Sequence, residues 1–285
     1  RSIGESPQFE EVTPLQKVTQ QKRNLVVDLV LGASLSALYA VFRAVPTFPM
    51  FAIPGASFRA GDIVAPLYGI ILGPLVGPLA VAFGTIIGFF VGAPPVFLGL
   101  DFLPATMCAT VVGLATRRRR REAILLNIGL ILAFLSLPFA PTLIQVGSYQ
   151  VPYVWLHLLG LAVLASPVAS RAVHALSDDW TAQIESSSRN YRDQFLAILV
   201  LAFIGTLAQH VAGGIITQAV VGLNFNLVPG AGRFETWQAF WTFVFWIYPG
   251  ERTIIALAAT AIAAPVVIVL KFSRLTQHLP RMKKP

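Results

Sequence analysis

The chain has 285 residues, of which 55% are hydrophobic and 12% charged, with a mean hydropathy of +0.71. A soluble domain carries about 25% charge, so an ordinary soluble globular protein is excluded and an integral membrane protein is expected. A net charge of +8 would suggest nucleic acid in a soluble chain, but the basic residues here cluster beside apolar segments and read as membrane topology.

Residues 1–24 are polar and read as a cytoplasmic tail without a signal-peptide core. A single transmembrane domain is expected over 25–271, and a second cytoplasmic tail over 272–285. A span needs about 20 apolar residues, fewer where its ends are buried in protein. Eight are expected, at about 25–44, 61–75, 77–93, 98–116, 122–138, 152–170, 194–222 and 250–271. The expected fold class is therefore all-α, a polytopic helical membrane protein of about eight transmembrane helices.

The second and third spans form the most informative stretch, from Arg59 to Pro95. Glycine recurs every fourth position at Gly69, Gly73 and Gly77, and again at Gly84, Gly88 and Gly92. Residues four apart share a helix face, and small residues on one face let helices pack closely in lipid. Pro74 and Pro78 bracket Gly77, so a tight turn between two short spans is expected there. The long seventh span is expected to bend at Gly213 and Gly214.

Lys and Arg set the orientation. Lys17, Lys22 and Arg23 precede the first span, five arginines (Arg117 to Arg121) follow the fourth, and Arg171, Arg189 and Arg192 lie between the sixth and seventh. Lys271, Arg274, Arg281, Lys283 and Lys284 follow the eighth. With eight spans all four clusters fall on one side, which places both termini in the cytoplasm. The cytoplasmic linker, about 171–193, offers Ser177 as a helix cap and Trp180 as an interface residue.

Candidate site residues gather on the opposite side. Arg59 and Asp62 stand at the mouth of the second span, after a stiff outside loop at about 45–60. They read either as an interfacial pair, with Asp62 favoured by the helix dipole, or as solute ligands. Asp101, at the head of the fourth span, reads as a cap or a ligand. Gln209 and His210 lie inside the seventh span, where polar groups are costly and face protein or a water-filled cavity. An outside lid is expected at about 223–250, with Asn224, Asn226, Arg233 and Glu235 as hydrogen-bonding groups and Trp237 and Trp241 sharing one helix face. Those tryptophans read as an interfacial belt or as faces that stack on a ring-shaped solute.

The one cysteine, Cys108, excludes an internal disulfide and argues against a cysteine metal site. No HExxH, Walker lysine or GxSxG is present. No cofactor or metal is expected, and the chain is not expected to be an enzyme. An intramembrane enzyme would need Asp101, His210 and Glu235 to converge.

The segments ASLSALYAVFRAVPTFP and SFRAGDIVAPLYGIILGPLVGPLAVAFGTIIG together resemble the substrate-capture subunit, or S-component, of energy-coupling factor (ECF) transporters. The resemblance is clearest over about 30–115. It implies a six-helix core, with Ala33 and Ala37 matching the small-residue motif through which that family docks its transmembrane coupling subunit. Tyr248, Pro249, Gly250, Glu251 and Arg252 loosely match a second family pattern. S-components have six spans, so the segment at about 122–170 is additional. The resemblance implies a membrane-embedded subunit of an ATP-driven vitamin or micronutrient uptake system in a prokaryotic cell membrane. Partner coupling and ATPase subunits would be needed, and the loaded subunit would topple to release solute inward. The alternative is a non-catalytic accessory subunit of a larger membrane complex built on the same scaffold.

Overall fold

The structure is a computed structural model that describes residues 14–50, 56–177, 187–230 and 232–272. The outer parts of both expected tails, the tip of the first outside loop, and the linker residues 178–186 with Trp180 lie outside the described residues.

The chain is mostly helical. Helix α1 spans Pro14–Ala44 and α2 spans Ala60–Phe90. Next come α3 (Phe102–Thr116), α4 (Arg120–Leu135), α5 (Trp155–Ala165) and α6 (Pro167–Ser177). The last two long helices are α7 (Ser187–Ile216), continued by a π-helix over Thr217–Asn224, and α8 (Trp237–Phe272). Two antiparallel hairpins correct the all-α expectation. The first pairs β1 (Pro46–Pro49) with β2 (Ser57–Arg59), and the second pairs β3 (Leu143–Val146) with β4 (Tyr149–Pro152).

Helix α2 is a hairpin of two arms. A Cβ on Gly61 would lie 2.9 Å from Arg43 Cδ, and one on Gly88 would lie 2.9 Å from Arg43 Cβ. A straight helix would hold those two glycines about 40 Å apart at 1.5 Å per residue. The chain therefore doubles back, and it does so at Gly73, whose φ of 77° and ψ of −168° no helix contains. The turn falls four residues before Gly77, the position expected from the flanking prolines. Gly77 instead sits where the arms touch, its missing Cβ leaving room for Tyr68 O at 2.6 Å. Gly69 is pressed onto the backbone of α3 (2.5 Å to Ala109 O), and Gly84 onto α1 (2.6 Å to Ser36 O). Gly92 differs: nothing lies within 4 Å, and its φ of +106° marks a turn.

Among the described residues and by length and composition alone, three helical segments are long and apolar enough to cross a membrane: Ala60–Phe90 taken end to end despite its turn at Gly73, Tyr191–Asn224 and Trp237–Leu270. The pair α5–α6, bent by 62°, makes a fourth if it counts as one span. Length and apolarity thus carry three or four crossings, not the eight expected. The apolar stretches at Leu29–Ala44 and Phe102–Thr116 fall below that length.

Several element ends also differ from expectation. Helix α1 starts at Pro14, inside the expected tail, because proline suits a first helical position. Ser177 is the last residue of α6, and the surface helix it was expected to cap falls on 178–186, outside the described residues. Helix α7 runs unbroken through Gly213 and Gly214 and widens into the π-helix at Thr217. Helix α8 continues without a break over Pro249 and Gly250, so 237–250 is helix and only the first part of the expected lid is loop.

The arginine run caps helix ends. Arg117 Nη2 donates to Ile71 O at the end of the first α2 arm (3.1 Å). Arg120 Nε donates to Leu164 O at the end of α5 (2.7 Å), and its Nη1 to Ser170 Oγ in α6 (2.6 Å). Cations suit these carbonyl ends. One core cluster joins Leu114, Ala115 and Ala123, beside this run, to Leu201 and Ala263. A second is aromatic and joins Phe134 and Tyr153 of the segment 122–170 to Trp241 and Tyr248 of α8. Trp241 Nε1 donates to Phe139 O (2.7 Å) and Tyr248 OH to Tyr153 O (3.1 Å). The segment 122–170 is thus built into the bundle core.

Candidate solute-binding site

The end of the bundle away from the arginine run holds a cavity of about 330 Å³. Its walls come from the first hairpin, the ends of α1, α2 and α3 nearest to it, the last turns of α7, and α8. Asp62 organises it. This residue is 7% exposed, and its carboxylate accepts from three elements at once. Oδ2 takes the Arg59 backbone N–H at 2.8 Å, one half of a capping box. Oδ1 takes Gln209 Nε2 of α7 at 3.1 Å and faces Arg43 Nη1 of α1 at 3.5 Å. Gly61 and Gly88 make this possible, since the Arg43 stem passes where their side chains would be.

Asp101 lines the same cavity but does not cap α3. Its two carboxylate oxygens accept the backbone N–H groups of Val96 (2.9 Å) and Phe97 (3.0 Å), which fixes the loop before the helix. His210 lines the cavity from α7, and its Nδ1 lies 3.0 Å from Nε2 of buried His157 in α5. The Tyr248 ring lies 4.7 Å from the His210 ring. Arg252 is 2% exposed and lies over the Phe58 ring at 4.9 Å, with Glu251 Oε2 3.7 Å from its Nη2.

Of the residues expected from sequence, Arg59, Asp62, Asp101, His210 and Trp241 meet at this cavity. Asn224, Asn226, Arg233 and Trp237 do not. Asn224 and Asn226 are exposed. Arg233 lies over the Phe243 ring at 4.3 Å. Trp237 stacks on Phe139 at 4.7 Å. Glu235 is exposed and does not join Asp101 and His210 there. Sequence reasoning passed over Arg43, and it reached Glu251 and Arg252 only through the family pattern. A charge at each apolar helix's cavity end was the available signal. Ala33 and Ala37 are both exposed on α1, on one face with Val30 and Val41.

Three buried polar atoms at this cavity have no hydrogen-bond partner: Arg43 Nε, Gln209 Oε1 and Arg252 Nε. Buried polar groups are nearly always paired, and among the described residues these three are not. No family model, curated protein or solved structure matches the chain.

Proposed function

We propose that the chain is a membrane-embedded solute-binding subunit that works with separate coupling and ATPase subunits, as an S-component does. The observation that carries this reading is the cavity, which joins charged and aromatic walls to buried polar atoms left without partners. Its volume of about 330 Å³ falls at the lower end of the 300–1,000 Å³ usual for small-molecule sites.

The reading takes the helical passes as eight, with the two α2 arms counted separately and α5–α6 as one. The arms are short for a bilayer, about 20 and 25 Å at 1.5 Å per residue. Burial against α1 and α3 offsets that shortness. With the arginine run cytoplasmic, the cavity faces outward, where capture from the environment would occur. The exposed small residues Ala33 and Ala37 then offer the docking face for the coupling subunit, because small side chains let a partner helix approach closely.

The test is native purification from membranes with mass spectrometry of both bound small molecules and partner chains. A bound small solute together with coupling and ATPase chains is the expected result. Partners without an ATPase and no bound solute would favour the accessory-subunit reading instead. Ala33→Leu and Ala37→Leu should abolish co-purification of the coupling subunit while leaving solute binding unchanged. Normal co-purification with both variants removes α1 from the docking face.

A further inference from the structure

We propose that the cavity takes a small, flat, ring-bearing solute with a single carboxylate. This rests on the solute-binding reading above and narrows it to a chemical class.

The inference follows from which groups at the cavity are already occupied. Every carboxylate there has protein partners. Asp62 accepts from three elements, Asp101 from two backbone N–H groups, and Glu251 pairs with Arg252. None of them is available to bind a cation. The guanidiniums are different. Arg252 is 2% exposed, lines the cavity, and keeps its Nε–H without an acceptor. Arg59 lines it too, and no hydrogen bond or ion pair engages its guanidinium among the described residues. Open donors on a buried cation call for an anion, and guanidinium geometry matches a carboxylate with two parallel bonds.

Formal charge favours a monoanion over a phosphate. Arg43, Arg59 and Arg252 balance Asp62, Asp101 and Glu251, so the lining is neutral overall. With no net positive charge on the lining, an added negative charge is held only by the open donors, so one is tolerated better than two. The rest of the lining specifies the remainder of the solute. Phe58, Phe97, Phe240 and Trp241 supply aromatic walls that favour a flat ring. Gln209 adds a polar group to this wall. The volume of about 330 Å³ equals roughly eleven waters at 30 Å³ each, which suits one or two fused rings.

Indole-3-acetate carries a ring, an N–H and a carboxylate. Indole-3-acetamide and tryptamine are its neutral and cationic counterparts. Each is titrated calorimetrically into the full chain in lipid nanodiscs. The expected result is that the acid binds at least about tenfold tighter than the amide, the margin of one charge-assisted bond, and that tryptamine does not bind. Arg59→Gln should weaken the acid by about tenfold and leave the amide unchanged. The Arg59 guanidinium has no partner to lose among the described residues, so thermal unfolding of this variant should match the parent. Arg252→Lys, which keeps charge but loses the fork, should weaken the acid as well. Amide or amine binding as tight as the acid overturns the carboxylate assignment and leaves solute binding standing. So does a natively bound molecule without an anionic group. If none of the three binds and native mass spectrometry finds the cavity empty, both the inference and the reading beneath it fail.

Discussion

Asp62→Ala should unfasten the cavity end of the bundle. The carboxylate touches α1, the α2 N-terminus and α7 together. Losing the capping bond costs about 0.5–2 kcal/mol. Losing the charge-assisted bond from Gln209 costs about 1.5–3 kcal/mol. The contact to Arg43 is long at 3.5 Å, and much of its Coulombic gain only offsets desolvation. Its loss matters mainly because a guanidinium that is 8% exposed is left without a counter-ion. Breaking such a buried pair costs about 3–5 kcal/mol in all, a value that overlaps the separate terms rather than adding to them. Measured as denaturant unfolding in mixed micelles, Asp62→Ala should therefore lose about 3–5 kcal/mol. Asp62→Asn should lose about half, since it keeps an acceptor but not the charge. The cycle with Arg43→Met is the sharper assay. If Arg43 is stranded by the loss of Asp62, the double variant should be more stable than the sum of the singles by about 1–2 kcal/mol. Additivity within about 0.5 kcal/mol, or Asp62→Ala within about 1 kcal/mol of the parent, would refute the reasoning.

Glycine to alanine should change sign with position. At Gly69 a Cβ would lie 2.5 Å from Ala109 O and 2.9 Å from Gly113 N, both backbone atoms that cannot yield, so Gly69→Ala should cost about 1–3 kcal/mol or more. At Gly129, inside α4, nothing lies within 4 Å, and alanine should gain up to about 1 kcal/mol; equal thermal shifts for the two would contradict the packing. Arg120→Ala frees Leu164 O and Ser170 Oγ at the α5–α6 bend, and hydrogen exchange should rise in α5 and α6 before the rest of the bundle.

The helices were legible because long apolar runs announce themselves, and the glycine ladders because spacing by four is a helix-face signal. Gly69, Gly77, Gly84 and Gly88 all sit at close backbone or side-chain approaches. The turn of α2 was placed four residues late because proline marks turns in sequence, whereas a positive φ decides them in space. Both hairpins went unseen for local reasons. Pro46 and Pro49 read as a stiff loop, and β3–β4 fell into a gap between expected spans although Gly147, with φ +60°, follows Val146 as a tight turn requires. The start of α8 was missed because Pro249 and Gly250 look like a boundary. Proline there removes one backbone donor, the one that would serve Phe245 O, yet the helix runs on through both residues.

Arg59, Asp62 and Asp101 could be found one at a time, since a charge beside an apolar run is visible without coordinates. Their pairing could not. Asp62 meets Arg43 nineteen residues upstream and Gln209 much later in the chain, on helices that only the fold brings together. The same holds for the segment 122–170. In sequence it looked like an appendage to a six-helix scaffold, a reason to doubt that the scaffold kept its role. In the structure, Phe139 and Tyr153 accept hydrogen bonds from Trp241 and Tyr248 on α8, and His157 meets His210 beneath the cavity. Trp241 and His210 line that cavity. Removing the segment 122–170 would leave two of its walls without their supports, so the segment belongs with the site rather than with a separate surface. A solute-binding role is therefore compatible with the presence of segment 122–170, because that segment braces the groups such a role would depend on.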